Sequence, residues 1–177
     1  VIDNGILGIN LGQSSYNIVS NNTVNLNNND GIYLDNSNNT YIYNNTVSRN
    51  LAGIALWTSP NSTVIANTIS ESNSIGIAVL LNSHFSTVTS NTIHDNAWDG
   101  IRIQNSSYTS ITANNASFNS MNGILIHNFS FSDSIDNNVI DSNGDFGVTV
   151  YDFCNDNTFV NNTITNNYQF GIYLAGK

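Results

Sequence analysis

The sequence has few charged residues, one proline and one cysteine. Only 8% of its 177 residues are Asp, Glu, Lys or Arg, and 12 acidic against three basic residues give a net charge of −9. A chain of this charge does not attract nucleic acid or an anionic membrane, so we expect neither nucleic-acid binding nor membrane insertion. A lone Cys154 cannot form an internal disulfide or a cysteine-rich metal site, and no metal or cofactor is expected.

Polar uncharged residues dominate the composition instead. The chain holds 36 Asn, 22 Ser and 15 Thr, and Ile and Val recur among them throughout. Disordered polar tracts lack such recurring aliphatic residues, so the chain is expected to be ordered. Asn, Ser, Thr, Ile and Val are poor helix formers but suit strands and turns, which predicts one domain over residues 1–177 with almost no helix.

A glycine followed by alternating aliphatic residues recurs along the whole chain. The eight copies begin at Gly8, Gly31, Gly53, Gly76, Gly100, Gly123, Gly147 and Gly171. They are 22 to 24 residues apart, and the period-2 alternation after each glycine predicts a short strand with one buried face. We expect glycine at this corner because it tolerates positive φ.

Two columns of asparagine keep the same register. The first lies between apolar residues and consists of Asn22, Asn45, Asn67, Asn91, Asn114, Asn138 and Asn162. The second consists of Asn27, Asn50, Ser72, Asn96, Asn119, Asn143 and Asn167. An inward-turning Asn can donate its amide to the Asn one coil away, which builds a ladder along the axis without unpaired buried amides.

These repeats predict an all-β, right-handed, single-stranded parallel β-helix of about seven coils, each of 22–24 residues with three short strands. The Gly-Ile-x-Leu and Asn-Thr-Ile motifs resemble those of the NosD-like and pectate-lyase-like β-helix superfamily over essentially the whole chain. In its richness in Asn, Ser and Thr, the chain is also similar to archaeal surface-layer-associated repeat proteins. The resemblance implies a fold but little about activity, because this superfamily includes lyases, hydrolases, epimerases and surface proteins.

The most varied face is the outward side of the strand that follows each glycine. Aromatic and polar residues there suggest a sugar-binding groove, and the candidate ligand-binding residues are Tyr33, Trp57, Arg102, His127, Tyr151 and Tyr173. The alternative is that these residues are exposed strand residues that reflect β-propensity alone.

Candidate catalytic residues lie on the same face. Hydrolysis needs two carboxylates across the scissile bond, for which Asp99 and Asp145 are candidates. Lyase or epimerase chemistry needs a base and a cation, for which His127 and Arg102 are candidates. The sequence lacks a dense Asp cluster of the pectate-lyase calcium type and an Asp-Pro-His-Glu stretch like that of alginate epimerases. Catalysis is therefore not the leading hypothesis.

Regular coils, low charge and no recognisable terminal caps favour a structural or adhesive segment of an extracellular or cell-surface protein or filament. The segment would be internal to a longer chain, with flanking domains or other copies of itself as partners. The alternative is a carbohydrate-binding or carbohydrate-active β-helix, with a polysaccharide as partner. Asn38, Asn61 and Asn105 lie in sequons and would be glycosylation candidates in a secreted protein.

Overall fold

A computed structural model describes residues 1–176, which form a solenoid of short parallel strands without a helix. The first sheet holds the strands after the glycines: β1 (Ile9–Gly12), β4 (Ile32–Asp35), β7 (Ile54–Trp57), β10 (Ile77–Leu80), β13 (Ile101–Gln104), β16 (Ile124–His127), β19 (Val148–Tyr151) and β22 (Ile172–Ala175). The second sheet holds β2 (Ile18–Ser20), β5 (Tyr41–Tyr43), β8 (Thr63–Ile65), β11 (Thr87–Thr89), β14 (Ser110–Thr112), β17 (Ser134–Asp136) and β20 (Thr158–Val160). The third sheet holds β3 (Thr23–Asn25), β6 (Thr46–Ser48), β9 (Thr68–Ser70), β12 (Thr92–His94), β15 (Asn115–Ser117), β18 (Val139–Asp141) and β21 (Thr163–Thr165).

The core runs along the axis inside the three sheets. Each first-sheet strand turns two aliphatic residues inward, such as Ile32 and Leu34, and each strand of the other sheets turns one inward, such as Ile42 and Val47. In the central coils these side chains are fully buried and stack on their equivalents one coil away, whereas Ile9 and Leu11 of β1 are partly exposed and Ile172 and Leu174 of β22 are exposed. The predicted all-β parallel solenoid of about seven coils with three strands each is confirmed. Within residues 1–176, no helix could cross a membrane.

The first asparagine column forms the predicted ladder. All six steps from Asn22 to Asn162 carry a hydrogen bond from Nδ2 of one Asn to Oδ1 of the next, at 2.9 to 3.1 Å. The same Oδ1 atoms also accept the backbone N–H of the preceding coil's Asn. Every coil is thereby fixed in register to the next at this corner.

The second column forms a ladder that is interrupted once. Asn27 donates to Asn50 at 2.8 Å, and Asn96 donates to Asn119 at 2.9 Å. Between them lies Ser72, whose Oγ is buried and has no hydrogen-bond partner among the described residues. Its hydroxyl is too short to replace an Asn amide, so the two side-chain steps from Asn50 to Ser72 and from Ser72 to Asn96 are missing, and only the backbone N–H of Ser72 donates to Asn96 Oδ1.

Replacing Ser72 with Asn should complete this ladder and stabilise the protein. The new amide would accept from Asn50 and donate to Asn96, which restores two hydrogen bonds and removes an unpaired buried hydroxyl. We expect the free energy of unfolding to rise by about 1–2 kcal/mol, as measured by urea denaturation. Ser70→Asn, on the outward side of the third sheet, is the control and should change stability little; equal effects of both variants would contradict the prediction.

A serine ladder, which the sequence-based predictions did not include, occupies a further corner of the coils. The backbone N–H of each serine in this column donates to the hydroxyl of the serine one coil further on, at 2.9 to 3.3 Å. The column consists of Ser14, Ser37, Ser59, Ser83, Ser106 and Ser130. The final N–H, of Ser130, donates to Sγ of Cys154 at 3.3 Å. The spacing of these serines carries the signal, because they keep the same 22–24-residue period as the glycines.

The expected reason for the glycine column was wrong. No glycine among the described residues has positive φ. A Cβ on Gly76 would instead lie 2.3 Å from Ile93 Cγ2 and 2.6 Å from the carbonyl oxygen of Gly100. Glycine is needed because coils approach too closely at this corner for any side chain.

Non-glycine residues take the left-handed conformation instead. The residue before each Asn of the first ladder has φ near +55°, and these residues are Asn21, Asn44, Ala66, Ser90, Ala113, Asn137 and Asn161. Asn tolerates this region better than most residues because its side chain bonds locally to the backbone. Part of the asparagine excess therefore serves backbone turns rather than ladders.

Candidate functional site

Two columns of outward side chains run along the first sheet in the predicted register. Column one consists of Asn10, Tyr33, Ala55, Ala78, Arg102, Leu125, Thr149 and Tyr173. Column two consists of Gly12, Asp35, Trp57, Leu80, Gln104, His127, Tyr151 and Ala175. Residues of the turns before the glycines pack against column one, as Ile75 does against Ala55 and Ala78. Ala55, Ala78 and Thr149 are buried although they face away from the axis.

An apolar cleft lies where column one changes from a tyrosine to two alanines. Ala55, Ala78 and Ile75 form its floor and are 3%, 2% and 8% exposed. Tyr33 and Trp57 stand beside them, and the cavity has a volume of about 390 Å³. We call this space the apolar cleft. Its shape arises because small side chains sit between large ones on neighbouring strands.

One carboxylate, that of Asp30, lines the apolar cleft. Its Oδ1 accepts the backbone N–H of Ala52 at 3.2 Å. Burial raises the pKa of Asp30 because a carboxylate loses hydration there, and the Ala52 hydrogen bond partly offsets this. Burial likewise raises the pKa of Tyr33, with a smaller effect from Asp35 and Asp30, so the phenol remains neutral. The cleft therefore presents an acceptor and two aromatic rings around an apolar floor.

A polar cluster follows the cleft along the same columns. Nε and Nη2 of Arg102 donate to Oδ2 of the fully buried Asp99 at 2.9 and 2.5 Å. The other carboxylate oxygen of Asp99 accepts the backbone and side-chain N–H groups of Asn122, and the Thr149 hydroxyl donates to Oδ1 of Asn122 at 2.9 Å. Trp98 covers the guanidinium, with Cζ 5.4 Å from the ring centroid. Arg102 is thus held rigidly on the outward face.

His127 and Tyr151 complete this polar cluster. Their ring centroids are 5.4 Å apart, and His127 is 9% exposed. Burial, and then the positive charge of Arg102, lower the pKa of His127, so its imidazole is neutral at pH 7. Among the described residues its Nε2 has no hydrogen-bond partner. Burial raises the pKa of Tyr151, which keeps the phenol protonated. A neutral base and a phenol therefore lie side by side next to Arg102.

The remaining candidates lie apart from the cleft and cluster. Tyr173 packs against Phe146 and Phe170, with ring centroids 5.2 and 6.0 Å away. Asp145 accepts a hydrogen bond from Gln169. Because Asp99 is buried with both oxygens occupied, Asp99 and Asp145 do not form a pair open to a substrate. Asn61 is exposed, whereas Asn38 and Asn105 are half-buried.

Sequence reasoning missed the cleft floor and the residues that support Arg102. Ala55 and Ala78 carried a signal, since they are the smallest side chains in column one, but alanine has no functional group that marks it as a site residue. Asn122 and Thr149 had no recognisable signal, because their contact with Asp99 depends on how the turn folds over the strand.

Comparison with protein families decides the classification. The family described as right-handed β-helix region matches residues 1–132 and 63–177. The chain belongs to this family. The family match confirms the predicted right-handed parallel β-helix superfamily. Comparison with curated proteins found no match.

Solved structures of right-handed β-helix proteins superpose well on the chain. The periplasmic alginate epimerase AlgG gives a TM-score of 0.78 at 21% identity, over 90% of this chain and 43% of that protein. The A-module of the Azotobacter vinelandii mannuronan C-5 epimerase AlgE4 gives 0.72 at 15% identity, over 90% of this chain and 56% of the module. The chain spans less than two thirds of either protein, and at these identities the likeness is one of fold.

Proposed function

We propose that the chain binds a polysaccharide along the outward face of the first sheet. The observation that carries this proposal is that the apolar cleft and the polar cluster lie on the same two columns of neighbouring strands. From Tyr33 to Tyr151 these columns cross five strand spacings of about 4.8 Å each, which is long enough for several sugar units.

The chemistry of this face suits sugars. Pyranose rings have apolar C–H faces that stack on Trp57 and Tyr33, while their hydroxyl groups need the polar partners that Asp30 and the polar cluster offer. The rigid β-helix holds these groups in place before binding, which reduces the entropy lost on association.

The neutral His127 also supports a reaction as a second candidate. Lyase and epimerase chemistry on a uronic acid requires a base that removes a proton, and the neutral His127 is the candidate. Its Nε2 is buried as well as unpartnered, so the imidazole must turn outward to reach a sugar. Arg102 would face the sugar carboxylate, although two of its nitrogens already donate to Asp99. The burial of Asp99 argues against a two-carboxylate hydrolase.

The comparisons support the carbohydrate proposal by fold. AlgG is an alginate epimerase and AlgE4 a mannuronan epimerase, so two proteins of this fold act on polysaccharides. AlgG is periplasmic, and we place this chain outside the cytoplasm, in an extracellular or cell-surface setting. The structural or adhesive hypothesis stays a prediction, as does the placement of residues 1–177 as one domain inside a longer chain.

Affinity electrophoresis in gels containing single polysaccharides would test the proposal. We expect at least one polysaccharide to retard the chain. Trp57→Ala should weaken binding about tenfold, which corresponds to about 1.4 kcal/mol, because it removes a stacking ring. Tyr41→Ala removes an exposed ring from the second sheet and serves as the control.

The same samples would test the reaction. Unsaturated sugar ends or a change in uronate configuration, lost in His127→Ala, would establish proton transfer. Failure of every polysaccharide to retard the chain, or equal binding by the two aromatic variants, would sink the binding proposal.

A further inference from the structure

The apolar cleft lacks the positive charge that an acidic sugar needs. Among the described residues that line it, none is Lys, Arg or His, and Asp30 is the acidic one. The whole chain carries a net charge of −9. A uronate or sulfate group would therefore meet a like charge at close range in a half-buried site, where screening by water is weak.

The floor of the cleft favours a small apolar substituent over a hydroxyl group. Ala55, Ala78 and Ile75 are almost fully buried and offer carbon atoms only. A sugar hydroxyl placed on them would lose its water without gaining a hydrogen bond, whereas a methyl group would gain contact and leave water.

Asp30 supplies the complementary polar contact at the edge of this floor. Its Oδ1 accepts from Ala52 at 3.2 Å, and the carboxylate has capacity for further donors. A hydrogen bond from an amide N–H to a carboxylate is stronger than one between neutral groups. An acceptor beside an apolar floor matches a group that carries an N–H and a methyl together.

We infer that the apolar cleft binds the acetamido group of a neutral N-acetylhexosamine, which extends the polysaccharide proposal and rests on it. The acetamido N–H donates to Asp30, its methyl group lies on Ala55 and Ala78, and the sugar ring stacks on Trp57 or Tyr33. The polymer continues along the columns towards the polar cluster.

Matched pairs of methyl glycosides test this inference. Binding of N-acetylglucosamine against glucose, and N-acetylgalactosamine against galactose, is measured with the full chain by tryptophan fluorescence and ligand-observed NMR. Methyl glucuronide is the acidic probe. We expect at least one acetamido sugar to bind at least tenfold more tightly than its parent sugar and than the glucuronide.

Two variants separate the parts of the contact. Ala55→Leu fills the floor and should abolish the preference. Asp30→Ala, at a half-buried site, should reduce acetamido binding about tenfold and binding of the parent sugars by less, so the preference should shrink. Tyr41→Ala should keep the full preference. Equal binding within both pairs, tighter binding of the glucuronide that is lost in Ala55→Leu and therefore occurs in the cleft, or no binding of either acetamido sugar would overturn the inference. Polysaccharide retardation that depends on Trp57 would persist in those cases, so the two proposals fail separately.

Discussion

Replacing Asn114 with Ala should lower the free energy of unfolding by about 3–5 kcal/mol. The Asn114 side chain is 1% exposed and lies in the middle of the first ladder. Its Oδ1 accepts two hydrogen bonds from Asn91, at 3.0 Å each. Its Nδ2 donates to Val88 O at 2.8 Å and to Asn138 Oδ1 at 3.1 Å. Alanine would remove the partner of four groups in a space that water does not reach. These are the backbone N–H and Nδ2 of Asn91, the carbonyl oxygen of Val88 and Oδ1 of Asn138.

The loss should be larger than that of one hydrogen bond because the unpaired groups stay buried. Chemical denaturation followed by circular dichroism would measure it, and a solenoid can unfold in parts, so tryptophan fluorescence should be recorded in parallel. Asn73 is exposed, and Asn73→Ala should change stability by less than about 0.5 kcal/mol. A loss at Asn114 no larger than at Asn73 would show that the ladder does not stabilise the fold.

Replacing Asp133 with Asn should remove a pH-dependent loss of stability. Asp133 occupies a ladder-like position at a buried corner and is 1% exposed. Its Oδ1 accepts the backbone N–H of Thr109 at 2.7 Å, but Oδ2 has no partner among residues 1–176. Burial raises the pKa of Asp133 from 3.8 to about 7, an effect that hydrogen bonds from Thr109 only partly offset.

The direction of the pH effect follows from proton binding. Between pH 4 and 7 the folded protein holds a proton on Asp133 that the unfolded chain has lost, so the contribution of Asp133 to stability falls as pH rises. The pKa shift corresponds to a change of about 4 kcal/mol in the free energy of unfolding. The folded protein has this stability in full below pH 4 and has lost it above pH 7.

Asp133→Asn should therefore match the wild-type protein near pH 4 and exceed it by up to about 4 kcal/mol at pH 8. An Asn fits this corner, since Asn157 occupies the equivalent place one coil on and accepts the Asp133 backbone N–H at 2.9 Å. Denaturation at a series of pH values measures the difference in the free energy of unfolding between Asp133→Asn and the wild-type protein. The titration of other groups affects both proteins alike and cancels in this difference. The exposed Asp156→Asn is the control, and stability curves that run parallel for Asp133→Asn and wild type would refute the prediction.

The fold could be predicted because the same pattern of aliphatic and asparagine residues recurs every 22 to 24 residues. Alternating aliphatic residues after each glycine require a half-buried strand, and an inward-turning Asn requires a partner one coil away. The outward columns could be predicted for the same reason, since a register fixed by the core also fixes which side chains face out. Tyr33, Trp57, Arg102, His127 and Tyr151 all lie where this register puts them.

Tertiary structure alone decided which of those residues are buried and what they contact. Ile75, in the turn before Gly76, packs against Ala55 and Ala78 beside the cleft, and Asp99, in the turn before Gly100, is buried against Arg102. His127 is buried beside Tyr151. The repeat glycines are present for close packing rather than for positive φ, because a Cβ on any of them from Gly8 to Gly147 would lie 2.3 to 2.7 Å from an atom at least 16 residues further along the chain. Periodicity determines which residues are stacked and which way they point. Burial and hydrogen bonding also depend on contacts between turns of different coils, which the repeat does not specify.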